Sequence, residues 1–239
     1  TNKIVAGGEG LGVLDTMSES LTKEDLDTYA GINFGAINDH AISEFSAQFA
    51  ALENIGVIPV SEMMISTDFE AFKVKVSSSN ARYAFLNNIF KTTMDLPPAH
   101  VMLWINKMTS DDQKAYLSEV GAAAKEFCEK TGTDAVFLVQ NFPGYGTKGL
   151  SKFLSKATMG TGKGVAKMNF NYVLLDKNGE PLAQKMNSDG KSTGSFWMKA
   201  GKATMDKEME GFLKEAVTSG VASITGDLVK PLKKAQKGR

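Results

Sequence analysis

The chain has 239 residues with 42% apolar and 23% charged side chains, enough for one large domain or two small ones and outside the range of chains disordered by excess charge. Its 27 basic residues balance 27 acidic ones, and only Arg82 and Arg239 are arginines. A neutral, arginine-poor chain lacks the basic field and bidentate forks of nucleic-acid binding, and no run approaches the roughly 20 apolar residues of a membrane-spanning helix.

In chain order, Lys3 to Leu14 reads as glycine-bearing strand, and Thr22 with Asp25 fits a helix start. Ile42, Phe45, Phe49 and Leu52 recur at helical spacing, which predicts a helix that buries these four and ends at Gly56. Val57 to Val60 reads as a short strand, with Pro59 marking its edge or end. Helices are expected over Asp68–Val76 and Arg82–Phe90, a stop at Pro97-Pro98, and a buried strand over His100–Ile105. Asp111 to Lys130 is a strong helix, capped by Ser110 and closed by Gly132. Its apolar stripe is Tyr116, Val120, Ala123, Ala124 and Phe127. Cys128 on that helix reads as a small buried residue rather than a nucleophile, and one cysteine permits no intrachain disulfide.

The second half is strand-rich. Ala135–Gln140 is apolar and β-branched, and the connection after it carries three glycines in NFPGYGTKG. Val165–Leu175 alternates, with Met168, Phe170, Tyr172 and Leu174 on one side and Lys167, Asn169 and Asn171 on the other. Asn178-Gly179 then predicts a hairpin, since both residues tolerate positive φ, returning through Leu182–Met186. Asn187 to Gly190 reads as a further turn. The last element is a helix from Asp206 to Val229, with Met209, Leu213, Val217, Ile224 and Leu228 inward, stopped by Pro231. Gly211, Gly220 and Gly226 inside it imply close packing. Lys230, Lys233, Lys234, Lys237 and Arg239 form a basic tail, expected to be frayed and solvated, with contact to an anionic surface or partner as the alternative. The fold class is therefore α/β (α+β): a mixed sheet with a C-terminal hairpin and a long helix packed on one face. A single domain over residues 1–239 is expected, with an inserted helical segment at about 61–108 and a flexible tail at about 230–239.

No catalytic pattern assembles. Gly160 to Gly164 fails the phosphate-loop spacing at Ala157 and Gly164. Gly7 to Gly12 fails the dinucleotide spacing at Val13. Asp176, Asn178 and Glu180 open like a calcium loop, but Pro181 and Asn187 stand where glycine and glutamate are needed. His40 and His100, the two histidines, suggest no ligand set. No metal, cofactor or catalytic residue is assigned. The chain has twelve methionines, among them Met63-Met64 and, in the second half, Met159, Met168, Met186, Met198, Met205 and Met209. Core filling is the default for them and a permissive ligand surface the alternative. Phe142, Tyr145, Phe196 and Trp197 sit in glycine-bearing, loop-like stretches, and aromatics there suit an interface or pocket.

The run GTDAVFLVQNF, then KGVAKMNFNYVLLDKNGEPL, then the helix at Asp206–Val229 resembles the small α/β domain of bacterial envelope lipoproteins. That group includes the curli secretion channel protein and the outer-membrane activators of penicillin-binding proteins. The likeness runs from Thr109 onward and, more loosely, over Ile32–Val60; residues 61–108 exceed the connection it leads one to expect. The resemblance implies a non-enzymatic, periplasm-facing binding or assembly protein that contacts an envelope protein or a second copy of itself. It implies no catalytic residues. The chain starts at Thr1 rather than Met, and a signal peptide is one candidate for what preceded it; the resemblance implies that membrane attachment, if there is any, runs through a lipid anchor upstream of Thr1. A carrier of small ligands, or a hydrolase built from dispersed carboxylates, are the alternatives.

Overall fold

The computed structural model describes residues 33–58, 62–63, 65–78, 110–147, 162–199, 202–203 and 207–237. The segments Lys3–Leu14, Ser18–Tyr29, Arg82–Phe90 and His100–Ile105, and the Gly7–Gly12 run, lie outside them. The elements are α1 (Phe34–Ala50), α2 (Thr67–Ser78), α3 (Ser110–Thr131), β1 (Ala135–Thr147), β2 (Gly162–Asp176), β3 (Pro181–Lys191), β4 (Phe196–Lys199), β5 (Lys202–Ala203) and α4 (Lys207–Lys237). The five strands form an antiparallel sheet in the order β1-β2-β4-β5, with β3 also paired to β2, and α4 packs against it.

Two compact units are built from interleaved pieces of chain. One draws on the described parts of Thr1–Glu53, Asn141–Phe170 and Ser188–Gly226, the other on those of Asn54–Gln140, Asn171–Asn187 and Asp227–Arg239.

In the first unit, α1 begins at Asn33, whose Oδ1 accepts from the Ala36 amide at 3.2 Å. Its buried row is Ile37, Ala41 and Phe45, one helical turn apart, with Asn38 beside it. The predicted stripe is therefore rotated: Ile42, Phe49 and Leu52 are only half-buried. Asn38 goes inward because Asn141 Nδ2 donates to its Oδ1 at 2.8 Å, which offsets the cost of burying an amide. The helix ends at Ala50, before the expected Gly56.

The inner end of α4 contributes Met209, Leu213, Ala216, Val217, Val221 and Ile224 to the core, opposite Met168 and Phe170 of β2. Phe45 meets Phe170 edge-on, with ring centroids 6.1 Å apart. Gly220 is a point of close approach, since any Cβ there would overlap the Phe170 ring. Gly211 and Gly226 have open space instead, so the close packing expected of all three glycines applies to Gly220 alone.

In the second unit, α2 and α3 meet through Phe69, Phe72 and Phe127, with ring centroids 5.1–6.5 Å apart. The predicted α3 stripe is buried throughout, and Cys128 is buried with it. Residues 171–175 of β2 are all buried. Because side chains alternate along a strand, both faces are covered there, and Asn171 is interior rather than on a solvent side. It is satisfied by Gln140 Oε1, which accepts from its Nδ2, and by the Asn187 amide, which donates to its Oδ1 at 2.9 Å.

The β2–β3 connection is a type I turn followed by Gly179 at φ 80°. Asp176 O accepts from the Gly179 amide, and Asp176 Oδ1 accepts from the amides of Asn178 and Glu180. Only Gly179 of the expected pair is left-handed, because this three-residue loop needs one such position rather than two. Gly179 and Gly121 of α3 touch backbone to backbone, which leaves no room for a side chain on either. No turn interrupts Asn187–Gly190: β3 runs through it, and Asn187, at φ 56°, is accommodated inside the strand. Val57 and Ile58 form no strand, and Pro59 and Val60 lie outside the described residues.

The predicted stop at Pro231 does not occur, and α4 continues to Lys237. Leu228 is fully buried and Val229, Pro231 and Leu232 half-buried, so packing carries the helix past the proline. The carbonyl of Asp227 loses its amide partner in a stretch, Gly226-Asp227, that is open to water.

Candidate functional site

Of the four aromatics singled out in the sequence, all lie in strands rather than loops. Phe142 and Tyr145 belong to β1, Phe196 and Trp197 to β4. Gly144 and Gly146 lie within β1 itself, and Gly194, ahead of β4, rests against the Phe212 ring. The sheet order puts β1 and β4 on opposite sides of β2, so the two pairs are not neighbours along the sheet.

The position of β4 is set by its entry turn. Ser192 exchanges two bonds with Ala166 of β2: its amide donates to the Ala166 carbonyl and its Oγ accepts from the Ala166 amide, both at 3.0 Å. Glu215 of α4 holds the next two residues. One carboxylate oxygen accepts from the Thr193 amide at 3.1 Å, the Thr193 hydroxyl at 2.9 Å and the Gly194 amide at 3.2 Å. These bonds to the charged form pull the Glu215 carboxyl below its ordinary range, the Gly194 amide first. Glu215 lies 21 and 22 positions from its partners, so no local motif announced it.

From that turn β4 pairs antiparallel to β2 in the register Gly164↔Phe196, Lys163↔Trp197, Gly162↔Met198. Phe196 turns inward and packs on Phe212 of α4, with ring centroids 5.8 Å apart. Alternation sends Trp197 to the opposite face, where it is 67% exposed. Lys163, exposed and directly across the ladder, shares that face, with Cβ atoms about 4.5–5.5 Å apart as for any opposed pair. The result is an amphipathic ring with an N–H donor, next to an ammonium, on a backbone pinned from both sides. The sequence supplied Trp197 but not Lys163, because the pairing depends on register.

Among the described residues, several ionisable groups outside this strand pair with one another. Glu126 on α3 takes both Lys75 of α2 and Lys130, and these two ammonium groups hold its carboxyl down to about 2. Lys185 of β3 pairs with Asp227 of α4 at 2.7 Å. His40 of α1 bonds Thr218 of α4 at 3.0 Å and lies 3.9 Å from Glu44. Burial pushes the Cys128 thiol up, away from the thiolate that a nucleophile requires. Met168 and Met209 are core residues. Among the described residues no three His, Cys, Asp or Glu side chains are grouped to hold a metal ion, and no helix is long and apolar enough to cross a membrane.

The chain matches no family model, no curated protein and no solved structure.

Proposed function

We propose that this protein is a binding or assembly module of the bacterial cell envelope that works by protein contact, with the Trp197 strand as its contact surface. The observation that carries this is the exposure of Trp197 on a strand whose position is fixed by Ser192 and Glu215. Leaving a tryptophan in water forfeits roughly 1.5–3 kcal/mol of burial, and a partner surface recovers it. Tryptophan is among the residues most enriched at binding hot spots. A rigid mounting means little side-chain or loop entropy is lost on association. The partner is an envelope protein or a second copy of the chain, facing the periplasm. The order hairpin, then closing helix, is the feature that agrees with the envelope-lipoprotein resemblance.

The test is comparative capture from a bacterial envelope extract on immobilised wild-type protein and on Trp197→Ala. A discrete protein retained by the wild type and lost with Trp197→Ala, at unchanged melting temperature, is the expected result. Identical retention by both proteins would remove Trp197 from the interface.

A further inference from the structure

The continuation of α4 past Pro231 changes what its lysines are. Read as a frayed tail, Lys230, Lys233, Lys234 and Lys237 have no fixed relation to one another. Inside a helix that runs to Lys237 they occupy positions i, i+3, i+4 and i+7, which is a single face. Lys230, Lys233 and Lys234 are exposed, and Lys237 stands on the next turn of the same row. The row spans about 10 Å of helix axis. The acidic residues of α4 lie upstream, and from Lys230 to the end of the chain there is none. The last one, Asp227, is engaged with Lys185. Like charges at i,i+4 spacing oppose helix formation by a few tenths of a kcal/mol each, so the row does not exist for the helix's own sake, beyond the dipole contribution of cations in its last turn.

We propose that this lysine row is a docking surface for an anionic phospholipid bilayer. Charge complementarity selects that partner over a discrete ligand. Lysine ammonium groups are strongly hydrated point charges on flexible stems, and the row carries no guanidinium fork to grip one phosphate bidentately. Such a row reads charge density rather than a particular group, and a leaflet rich in acidic headgroups presents charge density over an extended plane. Because the whole chain carries 27 basic and 27 acidic residues, what remains without these four lysines is net negative, so the attraction is local to this end of α4 and orients the molecule.

The experiment is co-sedimentation of the full chain with vesicles of phosphatidylcholine alone and with about 30% phosphatidylglycerol, from about 50 to about 500 mM salt. Binding to the anionic vesicles only, lost at high salt, is expected. The triple variant Lys230→Gln, Lys233→Gln, Lys234→Gln loses about 100-fold in partitioning. It keeps its helix content and melting temperature, since glutamine matches lysine in helix propensity. A control with Lys114, Lys125 and Lys177 changed to glutamine alters net charge equally and retains binding. Equal loss in the control, equal binding to both vesicle types, or tighter retention on polyglutamate or duplex DNA than on vesicles of matched charge would each overturn the assignment. Trp197→Ala binds the vesicles as the wild type does, so this surface and the Trp197 contact stand or fall separately.

Discussion

At Gly220 a helix backbone rests directly on the Phe170 ring, and at Gly190 a strand backbone rests on the main chain of Ala216 and Gly220. Adding a methyl group at either position forces one of two packed, buried surfaces to move. Gly220→Ala is expected to destabilise by about 1–3 kcal/mol despite alanine's better helix propensity, and Gly190→Ala by more, because backbone cannot rotate aside. Gly211→Ala and Gly226→Ala have the opposite sign. Nothing lies within 4 Å of a Cβ at either position, so each gains about 0.5–1 kcal/mol. Thermal melts of the four variants check this directly, the sign of the shift separating contact glycines from idle ones. All three helix glycines look alike in the sequence, because what distinguishes them is a strand about 50 residues away. Trp197 is the converse case. Truncating a core aromatic costs about 3–5 kcal/mol, which lowers the melting temperature by roughly 6–20 °C in a chain of this size. Trp197→Ala, on an exposed side chain, is expected to move it by about 2 °C or less.

The elements are held to one another by a few charged contacts whose pH dependence has a definite sign. Glu126 joins α2 to α3, and its carboxyl falls from 4.5 to about 2 on folding. A depressed carboxyl contributes stability that is complete above its unfolded value and is lost as pH drops through the folded one. The α2–α3 contribution is therefore expected to disappear between about pH 4.5 and about pH 2. Glu126→Gln lowers stability at neutral pH and converges with the wild type in acid, as urea titrations across that range read out. Glu215 shifts in the same direction through the Gly194 and Thr193 bonds, so acid also loosens the turn ahead of β4. Glu215→Gln is expected to weaken partner capture as well as stability, because it frees the strand that carries Trp197. Periodicity predicted α3 and the body of α4 well, since each has a single apolar stripe; it found β2 as a strand but put Asn171 on an outer side, where residues 171–175 are all buried. It misplaced the buried face of α1, where large Ile42 outweighed the smaller Ala41 and the paired Asn38. It also stopped α4 at Pro231, where burial of Leu228 outweighs one lost hydrogen bond.

For the molecule as a whole, the fold class was legible and the contact surface only half so. Continuous burial over residues 172–175 is visible as an apolar run, but the burial of Asn171 ahead of it is not. Composition picked out Trp197 and Phe196 together. Only the register Gly164↔Phe196 and Lys163↔Trp197 separates the residue that packs on Phe212 from the residue that faces water. The role assigned to that residue is tested most directly by replacing Trp197 with a photo-crosslinking amino acid in cells, with the same replacement at exposed Lys114 on α3 as the control. A discrete adduct at position 197, of one added protein mass or of two joined copies of this chain, and none at position 114, is the expected result. Adducts that form equally at both positions, or at neither under conditions where the protein is folded and abundant, would contradict a contact surface on β4.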